Sequence, residues 1–260
     1  MTLFAWPKKA AFGRVVPKNK IYDHAAASGA LKERFVQQVD QINWAFKLAP
    51  ETVNLSATES VAEIQIFRIT LKGVGLDNEV LKAIDRAIPF PLIFELMQGG
   101  RIKLAAAYKR PAQNTTNDKA SDRWVVGSYF GTDWQPESAP RHPLPIALDM
   151  SGLYEQLLSP LVQNGVAAPV VKGTVLQAHD SAAASYTSAT KSEQAVRLTL
   201  EQRIELAEAI TAQQKEIEQI KARLGRERQF NKRVAINTEL RDAKQELQRL
   251  TQQQAAVSRY

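Results

Sequence analysis

Glu63-Ile64-Gln65 lies in the stretch VAEIQIFRITLKG, residues 61–73. On an extended strand alternate side chains share a face, so a carboxylate and a polar residue two positions on can reach one metal ion and its activated water. That is the spacing of a metal-dependent nuclease strand, and it makes Glu63 a catalytic candidate. Such a site also needs a second acid from a neighbouring strand. Asp85, Glu95 and Lys109 could be its companions, but nothing in their spacing selects one. Glu-x-Gln is common by chance, and the simpler reading places Glu63 on the polar face or edge of a strand.

Other chemistries have less support. His24, His142 and His179 are far apart, each without a partner at metal-ligand spacing. The chain has no Cys, so disulfides, thiolate metal sites and Cys nucleophiles are excluded. No phosphate-binding glycine loop, dinucleotide fingerprint or serine-hydrolase elbow occurs. Gly73-Val74-Gly75 reads as a turn between strand and helix, since glycine tolerates positive φ. The residues therefore name no cofactor and no resident metal.

The basic segments point elsewhere. Arg226, Arg228, Lys232 and Arg233 set four positive charges against Glu227 near the expected tip of a helical hairpin. Lys18 and Lys20 belong to a basic N-terminal segment interleaved with Phe4, Trp6 and Phe12. Such patches neutralise phosphates, and aromatic rings can stack on exposed bases. A solvated helix surface produces the same letters. With 34 Lys and Arg against 27 Asp and Glu, the net charge is +7, which allows contact with nucleic acid without demanding it.

These groups need elements to position them. At 260 residues, 44% hydrophobic and 23% charged, the chain has globular composition. The opening residues lack an export signal, and no apolar run approaches the roughly 20 residues of a spanning helix, so a soluble cytoplasmic protein is expected. Pro7 and Pro17 break the first 24 residues into short extended pieces. Ser28 can cap a helix carrying Leu31, Phe35, Val39, Ile42 and Phe46, which should end before Pro50. The quoted strand follows, its apolar phase reversing at Ile66-Phe67; a β-bulge or a strand buried on both sides would explain this. Asp77 can cap the next helix, Val80, Leu81 and Ile84 line it, and Pro89 stops it. Strands are expected at 91–97, from 101 to 109 after a Gly99-Gly100 turn, and at 124–130.

With a single helical crossover, most strand pairs must be antiparallel, giving an α+β domain with helices on one face over residues 1–150. Residues 151–191 read as a short helix and linker, and 192–260 as a helical hairpin or coiled-coil arm. Leu206, Ile210, Ile217, Ile220 and Leu224 form one apolar stripe; Leu240, Leu247 and Leu250 form another. Their registers disagree across Gly225, which favours a turn near 225–228 over one long helix.

The segments VPKNKIYDHA, QVDQINWAFKLAPETVNL, AEIQIFRITLKG, LKAIDRAIPFPLIFEL and RERQFNKRVAINTELRDAKQEL resemble the bacterial domain-of-unknown-function family 4391. The resemblance spans most of the chain. It implies a gene encoded beside helicases and DNA methyltransferases of restriction or phage-defence type, hence an accessory or interaction subunit of a DNA-directed assembly. Partners of those enzyme classes are expected, and DNA contact and self-association are allowed. It supplies no catalytic residues. The alternative is a metal-dependent nuclease using Glu63.

Overall fold

The computed structural model describes residues 3–73, 75–112, 124–164 and 198–257. From the N-terminus, β1 (Leu3–Phe4) and β2 (Ala11–Val15) flank a 3-10 turn, and α1 (Lys18–His24) and α2 (Gly29–Gln38) follow. Next come β3 (Val39–Leu48), the one-turn helix α3 (Pro50–Val53), β4 (Ile64–Leu71) and α4 (Asn78–Ala87). Strands β5 (Leu92–Gln98), β6 (Arg101–Pro111), β7 (Trp124–Gly131), β8 (Gln135–Pro136) and β9 (Arg141–His142) lead into α5 (Met150–Asn164). The described chain ends in two long helices, α6 (Leu200–Arg226) and α7 (Phe230–Val257). It divides into two compact units, Met1–Gly165 and Val166–Tyr260.

The fold is α+β, built on a seven-stranded, mostly antiparallel sheet in the order β2-β3-β4-β5-β6-β7, with β8 also paired to β6. Among the described strands of this sheet, β4 and β5 alone run parallel, because α4 carries the chain across between them. Asp77 caps α4 as its side chain implies, accepting from the Glu79 N–H at 2.9 Å. Gly99 and Gly100 turn β5 into β6 with φ of 52° and 72°, a conformation that favours glycine. Helices α1, α2 and α4 contribute Ile21, Phe35, Val80, Leu81 and Ile84 to one core with Phe67, Ile69, Phe94 and Leu96 of the sheet. Helix α5 packs against β6 and β7.

Two expectations need correction. Pro17 does break the N-terminal segment, but the piece that follows it is not extended: Lys18–His24 is helix α1, with Pro17 as its N-cap. The long helix expected from Ser28 to Pro50 stops at Gln38, and Val39, Ile42 and Phe46 belong to strand β3. The physical reason is visible in the β3 ladder. Its register with β4 slips between Val39 and Gln41 and again between Trp44 and Phe46. Each bulge inserts one residue, so the buried positions become Val39, Ile42, Ala45 and Leu48. A doubly bulged strand thus imitates the three-residue spacing of a helix.

The phase reversal in β4 is not a bulge of that strand but the mark of burial on both its faces. Trp44 pairs with Phe67 and Phe46 with Ile66, leaving Ala45 as the extra residue opposite the step. Strand β4 itself keeps unbroken register with β5 from Gln65 to Thr70. It is buried on both faces, with Ile64 and Ile66 on one and Phe67 and Ile69 on the other. Glu63 falls one residue before the strand.

The second unit is a packed helical hairpin. Ile217 and Ile220 of α6 meet Ile236 and Ala243 of α7, joined by Leu224, Leu240 and Leu247. Farther from the turn, Leu206 and Ile210 meet Leu250. The two apolar stripes therefore cover each other. Thr199 and Gln202 cap α6 reciprocally, at 3.0 and 3.3 Å. Gly225 stays inside α6, and the turn is made by residues 227–229. The expected linker at 166–190 and most of the polar loop at 111–122 lie outside the described residues. Among the described residues no helix is long and apolar enough to cross a membrane.

Candidate functional site

Among the described residues, four groups of charged side chains bear on function, three in the sheet unit and one on the hairpin. The first surrounds Glu63. Its carboxylate meets Lys47 at 3.0 Å and accepts from the Gln65 side chain. Lys47 and Gln65 are paired across β3 and β4, which fixes both beside it. Glu51, on α3, reaches the same ammonium at 3.5 Å. The hydrogen bond to Glu63 raises the Lys47 pKa above its ordinary value, so the ammonium remains charged.

The second is centred on Glu95, which has no solvent exposure. On β5, Phe94 and Leu96 face the α4 core, so Glu95 points to the opposite face. Arg68, its cross-strand neighbour on β4, donates to Oε2 from Nε at 3.0 Å and Nη2 at 2.7 Å. Trp6 Nε1 and Arg141 Nη1 donate to Oε1 at 2.8 and 2.9 Å. Burial pushes this carboxyl up, but the Arg68 charge and the hydrogen bonds from Arg141, Trp6 and Arg68 outweigh it and hold the pKa below the usual range. Arg141 also donates to the Phe4 carbonyl at 3.1 Å, tying the β1–β9 pair to the same carboxylate.

The third lies on the α4 face. Lys109 of β6 donates to the carbonyls of Asp85 and Ile88, which belong to the end of α4, and stands 3.6 Å from Asp85 Oδ1. Tyr129 donates to Asp85 Oδ2. Tyr154 of α5 accepts from the Lys109 N–H at 3.0 Å and donates to the Ala107 carbonyl at 2.9 Å. The β6–β7 register slips between Ala107 and Lys109, so this hydroxyl serves backbone groups beside the irregularity. Burial raises Asp85 to about 6, and it lowers Lys109. Burial also raises both tyrosines, keeping them protonated.

The three proposed companions of Glu63 are thus dispersed. Asp85 and Lys109 share one cluster, Glu95 belongs to another, and Glu63 is held by Lys47. Among the described residues no group of three or more His, Cys, Asp and Glu could hold a metal ion. His24 and His142 are exposed, and His179 lies outside the described residues.

The fourth place is the hairpin tip. Arg226, Arg228, Lys232 and Arg233 are all exposed there. On the shaft, Lys221, Arg223 and Arg249 each meet a carboxylate, at 2.7, 3.0 and 2.7 Å. The four tip cations make no such ion pair among the described residues. Glu227, the acid between them, accepts from the N–H groups of Arg228 and Gln229 at 2.9 Å each. The N-terminal candidates differ from one another. Lys20 is exposed, whereas Lys18 donates to the Val39 carbonyl, and partial burial lowers its pKa.

Sequence reasoning missed Arg68, Arg141 and Trp6 around Glu95, and Tyr129 and Tyr154 around Lys109. The usable signal was a lone acid inside the apolar run PLIFELM, since a buried carboxylate requires partners.

The family model described as Domain of unknown function (DUF4391) matches residues 4–247. No curated protein and no solved structure matches the chain.

Proposed function

The chain belongs to domain-of-unknown-function family 4391, and from that premise together with the hairpin geometry we propose a non-enzymatic accessory or interaction subunit of a DNA-directed assembly of restriction or phage-defence type. The sheet unit docks on a partner enzyme, a helicase or a DNA methyltransferase, and the hairpin acts as an arm whose tip contacts phosphates. One observation carries this reading: Lys221, Arg223, Arg241 and Arg249 along the shaft each have an acid within ion-pair distance, whereas Arg226, Arg228, Lys232 and Arg233, clustered at one end, have none among the described residues. Unmatched charges gathered at one end cost self-repulsion and are relieved by an external polyanion. The acids with the strongest claim to chemistry support the non-enzymatic side, because Glu63, Glu95 and Asp85 already have cations beside them.

Purification from the native host with identification of co-purifying proteins tests the docking. Binding of labelled DNA over a salt series tests the tip. Full use of four cations gives a slope of log K against log salt of about −3.6 on duplex. Charge reversal at Arg226, Arg228, Lys232 and Arg233 should flatten that slope. DNA cleavage with Mg²⁺ or Mn²⁺ that disappears in a fully folded Glu63→Ala variant would overturn the accessory reading.

A further inference from the structure

We infer that the hairpin tip selects unpaired nucleic-acid strand, with Phe230 stacking on an exposed base while the neighbouring cations hold the flanking phosphates. This rests on the proposed nucleic-acid contact at the tip. Phe230 opens α7 and is 78% exposed; Val234, one helical turn later, is 50% exposed. They break the rule of the hairpin, where the large apolar side chains of both stripes lie along the seam. The ring contributes nothing to that seam. It stands instead among cations that form no ion pair among the described residues, with Arg228 two residues before it and Lys232 and Arg233 two and three after.

The charge density points to approach by the tip. Along its length α7 alternates acids, Glu239, Asp242 and Glu246, with Arg241, Lys244 and Arg249. The tip instead gathers Arg226, Arg228, Lys232 and Arg233 around the single acid Glu227. A side chain arriving end-on at an intact duplex meets sugars and phosphates, because the bases are stacked and paired. A single strand offers free base faces, on which an exposed aromatic ring stacks whatever the sequence. An open cleft of about 490 Å³ beside the tip completes the site; Arg226, Lys232 and Ile236 line it with Arg223, Glu227 and Glu239. Glu239 is matched by Arg223, and Glu227 is turned to backbone N–H groups. Arg226 is left to hold a phosphate above the apolar floor, with Lys232 beside it, whose charge also acts on Glu227.

Fluorescence anisotropy of the full chain with a labelled oligothymidine strand, and with a duplex of equal length, tests this. The wild type should bind the strand more tightly. Phe230→Ala should weaken strand binding roughly tenfold, leave duplex binding and the salt slope unchanged, and melt like the wild type. Phe230→Trp should restore the preference. Equal loss on strand and duplex, or no loss, would overturn base stacking, even if charge reversal at the tip still abolished binding. If neither nucleic acid binds the wild type, the phosphate contact itself is wrong. Should Phe230→Ala spare nucleic-acid binding but release a co-purifying protein, the ring belongs to a protein pocket.

Discussion

Replacing Glu95 with Gln should destabilise the sheet unit by about 3 kcal/mol at neutral pH, and the reasoning can be worked through the four donors around it. Glu95 accepts two hydrogen bonds on each oxygen, from Arg68 on one and from Trp6 and Arg141 on the other. Glutamine keeps the shape, but one of its two ends is an NH₂ that must face donors. Either Arg68 or the Trp6–Arg141 pair then loses its acceptor. Breaking one side of a buried ion pair costs about 3–5 kcal/mol. The Arg68 and Arg141 side chains are 37% and 26% exposed and recover some hydration, so the lower end applies. For a domain of this size that corresponds to a fall in Tm of roughly 6–12 °C. The pH dependence provides an internal control. Because the folded carboxyl is held below its usual pKa, its contribution is present above the unfolded value of about 4.3 and disappears as pH falls through the folded one. The melting curves of wild type and Glu95→Gln should therefore converge in acid. A Tm difference under about 2 °C at pH 7, or one that stays constant into acid, would refute the argument.

Asp85 should behave with the opposite sign. Its folded pKa is raised to about 6, so the stability it supports is complete below the unfolded value of about 3.9 and is lost as pH rises through 6; thermal melts of Asp85→Asn should lack that decline, and an unchanged decline would refute the assignment. Glu63→Ala should cost about 1 kcal/mol, read by denaturant titration, because it removes a half-screened partner from Lys47 and Gln65. Cooperative unfolding with an unchanged midpoint would show that Glu63 does not hold the entry to β4. Deleting residues 192–260 should leave a cooperatively melting sheet unit that no longer assembles with itself or a partner, checked by circular dichroism and light scattering; an aggregated or unfolded truncation would sink the separate-arm reading.

What the sequence disclosed followed from local chemistry. Ser28, Asp77 and Gly99-Gly100 act within a few residues of themselves, and each cap or turn sits where its side chain or missing Cβ requires. The hairpin seam was legible because its periodicity persists over many turns. The β3 strand was not, since two bulges convert alternation into a spacing of three and a single chain carries no sign of a bulge set by its neighbour. The clusters failed for a related reason. Glu95 lies 27, 46 and 89 residues from Arg68, Arg141 and Trp6, and no local pattern links them.

That difference also separates charges that serve the fold from charges left over. Burial is the pressure that assigns partners: Glu95 and Asp85 are almost wholly enclosed, and each acquires cations and donors because an unpaired charge there would be prohibitive. At the hairpin tip no such pressure acts, for Arg226, Arg228, Lys232 and Arg233 are surrounded by water and could as well have been spread along the shaft. Their concentration beside an exposed Phe230 does nothing for the α6–α7 seam, which is complete without them. A residue set that the fold neither needs nor neutralises is the place to look for a ligand, and here its chemistry asks for an anion carrying flat apolar faces.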